Sequence, residues 1–181
     1  MKCLETHRLL LRPFSVEDLD DFHSYCVNPN VGNSGGWKPH ESVEESKAVL
    51  ISCIENNDWA IVYQENNTVI GSISFITDVK RRVDNAHMIG YSLSEDYWSM
   101  GIMTEAVKRV LQYAFEEANA LLVAVYHFPF NDKSRRVIEK CGFVYEGRLR
   151  SAYKMYHGEI YDDLCYSILR EEYFLNQIKN S

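Results

Sequence analysis

The residues best placed for chemistry lie in one short stretch, EDYWSMGIMTEA, at positions 95–106. Gly101 stands just before a segment with a helical pattern, which Thr104 opens. At a helix start the backbone N–H groups are unpaired, and the helix dipole adds about half a positive charge. The stretch therefore suits a phosphate or diphosphate group. The sequence contains neither GxxxxGK[ST] nor GxGxxG, so the usual loops for nucleoside triphosphates and dinucleotides are excluded.

Side chains capable of acid–base or nucleophilic chemistry occur elsewhere in the chain. His87 has an ordinary pKa that suits a general base, although a histidine on a strand also serves as a structural hydrogen-bonding group. Cys141 stands beside Gly142 at a predicted helix end with no histidine near it in sequence, so we predict a packing role. The five cysteines form no CxxC or CxxH pair, which predicts free thiols and no zinc site.

Composition limits the classes of partner. The chain has 181 residues and a formal net charge of −7, which argues against binding nucleic acid or an anionic membrane. Lys80, Arg81 and Arg82 are followed by Asp84 and are predicted to form a solvated loop. The N-terminus lacks a long apolar region, and the longest apolar run, at 120–126, is too short to span a bilayer. We therefore expect a cytoplasmic protein.

The elements that must position these residues follow from hydrophobic periodicity and turn residues. They alternate between strands and helices within a single domain spanning 1–181, which predicts a mixed sheet with helices on its faces. The segment 28–42 is rich in Asn, Gly and Pro, so we predict a substrate-facing loop carrying Trp37 and His40. The predicted strands are 6–14, 59–77 (a hairpin), 86–93, 120–128 and 153–169 (a hairpin), and the predicted helices are 15–25, 43–56, 104 onward and 131–143.

Three segments carry a resemblance to a known family. IGYSLSEDYWSMGIMTEAVKRVLQYAFEE resembles the acetyl-CoA-binding segment of the GNAT N-acetyltransferases, and looks most like the RimJ/RimL-type branch. NDKSRRVIEKCGFVYEG is similar to the second signature of that branch, and ETHRLLLRPF also matches. The resemblance covers essentially the whole chain. It implies an α/β (α+β) GNAT fold, a mixed central sheet of about seven strands flanked by about four helices, with strands splayed around acetyl-CoA.

The resemblance also implies a set of site residues, with acetyl-CoA as co-substrate and no metal. Tyr97 and Trp98 would form the floor of the diphosphate-binding loop. Asn131 would bond the pantetheine arm, and Ser134 would lie by the thioester sulfur and protonate the departing thiolate. The remaining cofactor-binding residues implied are Tyr91, Ser92, Leu93, Trp98, Ser99, Met100, Gly101, Ile102, Met103 and Thr104.

This chain departs from the family pattern at two places. Ser99 and Met100 replace a glycine and, commonly, a basic residue, which implies weaker but retained cofactor binding. A serine at 99 is tolerable if its φ is negative. The glutamate that often precedes IGY is Met88 here, and the glutamate of the ribosomal-protein-acetylating enzymes aligns with Tyr153. The base is left open among water, His87, Tyr153 and Glu41.

These observations favour an N-acetyltransferase that moves an acetyl group directly to a primary amine, either a protein N-terminus or a small molecule. Two alternatives stay open. One is a non-catalytic acyl-CoA sensor with the same fold, and the other is an interaction domain that uses an aromatic surface. That surface would comprise Trp37, Tyr153, Tyr156 and Tyr161. Dimers are common among similar proteins, so a homodimer is also open.

Overall fold

The computed structural model describes residues 2–180, which form eight strands and six α-helices. The sheet order is β1-β2-β3-β4-β5-β6-β8-β7, so the predicted mixed α/β fold is confirmed. No helix within residues 2–180 has the length and apolar character needed to cross a membrane. The strands are β1 Leu4–Glu5, β2 Leu9–Pro13, β3 Trp59–Tyr63, β4 Thr68–Thr77, β5 Ala86–Leu93, β6 Leu122–His127, β7 Val144–Lys154 and β8 Ile160–Leu169, and the helices are α1 Leu19–Cys26, α2 Pro29–Gly35, α3 Val43–Glu55, α4 Ile102–Gln112, α5 Asp132–Lys140 and α6 Arg170–Asn180.

The chain divides into two compact units, and the first contains the residues up to Ser74 together with Tyr91–Ala106. In this unit β1, β2, β3 and the first part of β4 pair antiparallel in sequence order. Helices α1 and α3 contribute to its core because their apolar faces are buried together with residues from β3 and β4. The buried core residues are Phe14, Phe22, Tyr25, Cys26, Val31, Leu50, Ala60, Val62 and Val69.

The second unit contains Phe75–Gly90 and the residues from Val107 onward. Here β5 and β6 pair in parallel from Ala86↔Leu122 to Ile89↔Val125, and β8 pairs antiparallel with both β6 and β7. The parallel pairing ends at Ile89↔Val125, although β6 continues to His127.

The segment 28–42 is not wholly a loop, because its first half forms α2. The Asn28 side chain accepts a hydrogen bond from the Asn30 N–H group at 2.8 Å and caps the helix, while Pro29 occupies the first turn. Gly36 ends the helix in the left-handed conformation, with φ +86°. The residues that led to the loop prediction are thus the ones that begin and end the helix. The loop prediction is wrong for Pro29–Gly35.

Trp37 and His40, which were predicted to face a substrate, are packed within the first unit. Their rings lie 5.4 Å apart, and Trp37 packs against the core of that unit. His40 is buried, and its Nδ1 atom lies 2.8 Å from the Ser46 hydroxyl. The prediction of a substrate-facing role is therefore wrong for the buried His40, whereas for the half-buried Trp37 it stays a prediction.

Sequence patterning also missed β1 and the C-terminal helix α6. The Glu172 carboxylate accepts a hydrogen bond from the Leu169 N–H group at 2.8 Å, and the Tyr173 ring stacks on Phe115 with centroids 4.9 Å apart. Helix α4 begins at Ile102, before Thr104, and continues through a π-helical turn at Tyr113–Glu117. These differences do not change the fold.

The loop between β4 and β5, in the second unit, is held by ion pairs. The Lys80 ammonium lies 2.5 Å from the Asp163 carboxylate and 3.7 Å from the centroid of the Tyr126 ring. Arg81 donates hydrogen bonds to the carboxylates of Asp78 and Glu146. The prediction of a solvated loop is therefore wrong for Arg81, whereas Lys80 and Arg82 are exposed as predicted.

Asp78 is the buried centre of this network, and its side chain is 0% exposed. Burial by itself raises the pKa of Asp78. Hydrogen bonds from the Lys80 N–H group, from Arg81 and from Tyr126 outweigh burial and hold that pKa below its usual range. Asp78 is therefore ionised and depends on these donors.

Candidate active site

The loop before α4 contains residues with positive φ. Ser99 has φ +63° and Gly101 has φ +76°, so two of the three residues before Ile102 adopt the left-handed conformation. Alternation of left-handed and right-handed residues turns successive N–H groups toward one concave side, where anions bind. Ser99 does not meet the condition under which a non-glycine residue is tolerated without strain, because its φ is positive.

Arg8, which directly precedes β2, holds this loop, a role that sequence reasoning missed. Its Nη1 atom donates to the Met100 carbonyl oxygen at 3.0 Å, and its Nε atom donates to Glu105 at 2.8 Å. Glu105 also accepts from the Arg8 N–H group at 3.0 Å and from the Thr6 hydroxyl at 2.6 Å. Burial raises the pKa of Glu105, but these donors outweigh burial and lower it, so the carboxylate is ionised.

The residues before the loop anchor it to the rest of the first unit. The Trp98 indole Nε1 donates to the Leu93 carbonyl oxygen at 2.9 Å, and the Tyr97 ring packs edge-on against Tyr63 at 5.3 Å. Glu95 accepts from the side-chain amide of Asn28 at 2.8 Å, which ties the turn to the cap of α2. The aromatic residues thus have a structural reason to precede Gly101.

The last residues of β5, Tyr91 to Leu93, lie against β4 within the first unit. The Ser94 N–H group donates to the Ile70 carbonyl oxygen at 2.7 Å. A Cβ atom added to Gly71 would overlap the Ser92 carbonyl oxygen, so the two backbones approach as closely as only glycine permits. This contact fixes the position of the Tyr91–Leu93 backbone.

In the second unit, Asn131 and Ser134 lie together at the start of α5. The Asn131 side-chain oxygen accepts from the Ser134 N–H group at 3.0 Å and caps the helix. Ser134 is 9% exposed.

The proposed bases have different surroundings. His87 stacks on Phe75 with ring centroids 4.3 Å apart, and its buried Nδ1 atom has no hydrogen-bond partner within residues 2–180. Burial lowers the pKa of His87, so the ring is neutral near pH 7. Tyr153 is 41% exposed and packs on Phe128, and the exposed Glu41 pairs with Lys38 at 2.8 Å. Of the three side chains, only His87 is half-buried.

The buried cysteines are poor nucleophiles. Cys141 is buried, and burial raises its pKa to about 12, so the thiol stays protonated near neutral pH. Burial likewise raises the pKa of Cys53 to about 12. Because these protonated thiols are poor nucleophiles, they fit a reaction in which the amine attacks the thioester directly, without an acetylated cysteine. Across residues 2–180, no group of three or more His, Cys, Asp or Glu side chains is arranged to hold a metal ion.

Comparison with known protein families finds a match to the acetyltransferase (GNAT) domain over residues 8–144. The uncharacterized N-acetyltransferase p20 of Bacillus licheniformis is 28% identical over 180 residues, covering 96% of this chain and 99% of that protein. The putative ribosomal N-acetyltransferase YdaF of Bacillus subtilis is 31% identical over 128 residues, covering 64% of this chain and 67% of that protein. The sequence is thus similar to relatives along nearly its full length.

Solved structures have the same fold. A putative acetyltransferase from T. thermophilus superposes with a TM-score of 0.85 at 26% identity, covering 99% of this chain and 95% of the other. The microcin C7 self-immunity acetyltransferase MccE, solved in complex with acetyl-CoA and AMP, superposes with a TM-score of 0.78 at 23% identity, covering 91% of this chain and 93% of the other. The second likeness concerns the fold alone.

Proposed function

Because this chain belongs to the GNAT acetyltransferase family and is an N-acetyltransferase, we propose that it transfers the acetyl group of acetyl-CoA directly to a primary amine. The observation that carries this proposal is the loop at Ser99–Gly101, whose backbone is shaped for an anion at the start of α4. The resemblance of the sequence to the RimJ/RimL-type branch, together with the ribosomal relative, supports a protein N-terminus as one acceptor class. A small-molecule amine is the other.

In this proposal the N–H groups of the loop and of the first turn of α4 bind the diphosphate. Arg8 stabilises the loop through Met100, and Trp98 holds the loop to Leu93. The arrangement compensates for the missing basic side chain at Met100, because Arg8 brings a guanidinium group to the same loop. The residues proposed to bind the co-substrate are Tyr91, Ser92, Leu93, Trp98, Ser99, Met100, Gly101, Ile102, Met103, Thr104, Asn131 and Ser134.

The chain's own residues have three tasks. Acetyl-CoA, when bound, supplies an acetyl group activated as a thioester. The Leu93 N–H group is proposed to donate to the developing oxyanion, a kind of interaction worth about 3 kcal/mol in acyl transfer. As the N–C bond forms and the C–S bond breaks, the nitrogen loses one proton and the sulfur gains one. Ser134 is proposed to donate that proton to sulfur, and water or His87 to accept the proton from nitrogen.

The sensor alternative has less support than the transferase. It was motivated by Ser99, Met100 and the absence of a glutamate at Met88. We propose that the anchored loop and Arg8 compensate for the first two departures. Relatives that match nearly the whole chain are named N-acetyltransferases. We therefore keep direct acetyl transfer as the proposed function.

The test combines thermal unfolding in the presence of acetyl-CoA with thiol release upon addition of amines. A ligand at 100 times its Kd adds about 2.7 kcal/mol to the unfolding free energy, which gives a clear shift in Tm. Gly101→Ala should reduce this shift, because alanine at positive φ strains the loop by about 1 kcal/mol or more. No shift for the wild-type protein at millimolar acetyl-CoA would contradict the proposal.

Gly158→Ala is the matched control. Gly158 also has positive φ, +94°, and lies in the turn between β7 and β8, where an added Cβ atom meets nothing within 4 Å. Both substitutions should lower the free energy of unfolding by similar amounts. Only Gly101→Ala should weaken the effect of acetyl-CoA, so equal effects on ligand binding would contradict the role of the loop.

A further inference from the structure

A chain of hydrogen bonds leads from a buried histidine at the end of β6 to the start of α5, within the second unit. The His127 Nδ1 atom lies 2.8 Å from the Phe128 carbonyl oxygen. The Asn131 N–H group donates to the same oxygen at 2.9 Å. The Asn131 side-chain oxygen in turn accepts from the Ser134 N–H group at 3.0 Å. Three hydrogen bonds thus connect the His127 imidazole with Ser134.

The first of these bonds determines where the proton lies on the His127 ring. A carbonyl oxygen can only accept, so Nδ1 carries the hydrogen and Nε2 of the neutral ring keeps a lone pair. The Nε2 atom is buried and has no hydrogen-bond partner within residues 2–180. Burial lowers the pKa of His127, so the ring is neutral near pH 7 and donates without adding a charge.

Strand β8 holds the imidazole ring in place. His127 is 5% exposed, and its ring packs on Tyr166 with centroids 5.5 Å apart. Its backbone pairs opposite Leu164 at the end of the β6–β8 ladder. Because the ring face and the backbone are both held, the Nδ1–H group points in a defined direction.

The imidazole contributes something that an apolar side chain could not. A buried Nε2 without a partner is unfavourable for folding, and an apolar residue would pack on Tyr166 without that penalty. What only the imidazole supplies is the donor to Phe128, whose carbonyl oxygen then has both lone pairs occupied. This carbonyl begins the turn through Pro129 that ends at Asn131. The direction in which Asn131 leaves the turn therefore depends on His127.

We propose that His127 is a positioning residue for the acetyl-CoA site, and that its Nδ1–H group holds the turn that places Asn131 and Ser134. This inference rests on the proposed function, in which Asn131 bonds the pantetheine arm and Ser134 protonates the thiolate. His127 acts only through these two residues. Side chains that bind a ligand need such support from behind, because small displacements of the binding atoms reduce affinity.

The experiment compares His127→Asn with His127→Gln. The asparagine amide nitrogen is bonded to Cγ, as Nδ1 is in histidine, so His127→Asn keeps a donor for the Phe128 carbonyl. The glutamine amide nitrogen lies one bond further out, near the place of Nε2, so His127→Gln loses that donor. Both variants lose the ring contact with Tyr166 and should have a lower Tm. Isothermal titration with acetyl-CoA should give a Kd within about threefold of wild type for His127→Asn, and a Kd raised about tenfold for His127→Gln.

Asn131→Ala tests whether the effect passes through Asn131. Adding His127→Gln to Asn131→Ala should raise the Kd no further, because the side chain that His127 positions is already absent. His40→Gln is the control, since His40 is a buried histidine of the first unit whose Nδ1 atom lies 2.8 Å from the Ser46 hydroxyl. It should lower the Tm and leave the Kd for acetyl-CoA unchanged.

Long-range ¹H–¹⁵N spectra of the wild-type protein give a second readout, which needs no ligand. They should show His127 protonated at Nδ1, with its signals identified by their absence in His127→Asn. A proton on Nε2 instead, equal Kd values for His127→Asn and His127→Gln, or additive effects of His127→Gln and Asn131→Ala would each overturn the inference. Failure of the wild type to bind acetyl-CoA would instead overturn the proposed function.

Discussion

Ser99 shows how much one residue contributes to the proposed phosphate loop. Its φ of +63° costs about 1–2 kcal/mol for a residue with a Cβ atom, and the loop nevertheless adopts this conformation. Its neighbour Trp98 holds the chain to Leu93, which fixes the direction of entry into the loop. The strain at Ser99 is thus maintained by the surrounding anchors.

Ser99→Gly should therefore stabilise the protein. We expect the free energy of unfolding to rise by about 1 kcal/mol in urea denaturation, since the relief of strain exceeds the added entropy of the unfolded chain. The Kd for acetyl-CoA should stay equal or fall. Ser151→Gly is the control: Ser151 also has positive φ, +51°, but lies on β7. It should raise stability without changing the Kd, and a loss of stability in Ser99→Gly would contradict the argument.

At the scale of residues, sequence reasoning located the candidate loop but not its support. Gly101 before a helical pattern was weak evidence by itself, and the prediction of a diphosphate site rested on the resemblance to the family. The conformation of Ser99 depends on Trp98 and on contacts outside the motif. Arg8 was visible within ETHRLLLRPF, but it lies 92 residues from Met100, the residue that it bonds. Such a contact has no local signal in one sequence.

At the scale of elements, the Arg8–Glu105 pair joins the turn before β2 to α4. Arg8→Met should weaken acetyl-CoA binding about tenfold, because it frees the loop and leaves an unpaired carboxylate beside the proposed diphosphate site. Arg8→Met/Glu105→Gln should recover part of that affinity. Arg12→Met is the control, since Arg12 pairs in a similar way with the buried Asp18 at 2.6 Å. Isothermal titration should show equal Kd values for Arg12→Met and wild type, and an unchanged Kd in Arg8→Met would contradict the role of the pair.

The loop between β4 and β5 supports a second prediction at this scale. Arg81→Met removes a donor from the ionised, fully buried Asp78 and should lower the free energy of unfolding by about 3–5 kcal/mol. Arg82→Met replaces a neighbouring arginine that is exposed, so it should change stability by less than about 0.5 kcal/mol. Urea denaturation of the two variants would distinguish them, and equal effects would show that the network does not hold the loop.

Elements with strong periodicity were predicted well, and elements whose signals conflict were not. Helix α4 and strands β5 and β6 follow from their apolar patterns. Helix α2 is short and consists largely of residues typical of loops. Its capping residues were therefore interpreted as loop residues, and the helix was not predicted. The network around Lys80 and Arg81 joins the loop to Asp163 and Glu146, which lie more than sixty residues away. Local charge patterning cannot reveal such pairing.

At the scale of the whole molecule, three histidines make stability depend on pH. Burial lowers the pKa of His40, His87 and His127 below the ordinary value near 6.5. Below that value the unfolded chain binds more protons than the folded protein. The stability is therefore complete above about pH 6.5 and is lost as the pH falls toward the folded-state pKa values.

The Tm should accordingly fall between pH 7.5 and 5.5. His40→Gln should make this dependence shallower by up to about 1.4 kcal/mol per pH unit, because one buried neutral site is removed. His7→Gln replaces an exposed histidine and should leave the slope unchanged. A slope in His40→Gln that matches wild type would show that His40 takes no part in the pH dependence.

The five free cysteines differ in exposure, so a thiol reagent should modify them at different rates. Cys26 and Cys141 are buried, Cys53 and Cys165 are half-buried, and Cys3 alone is exposed. Burial raises the pKa of the other four thiols, so a maleimide or disulfide reagent should modify Cys3 first. A fluorophore can thus be attached at one defined position. With Cys3→Ser, the colour change of a thiol reagent would report coenzyme A with little background from the enzyme itself.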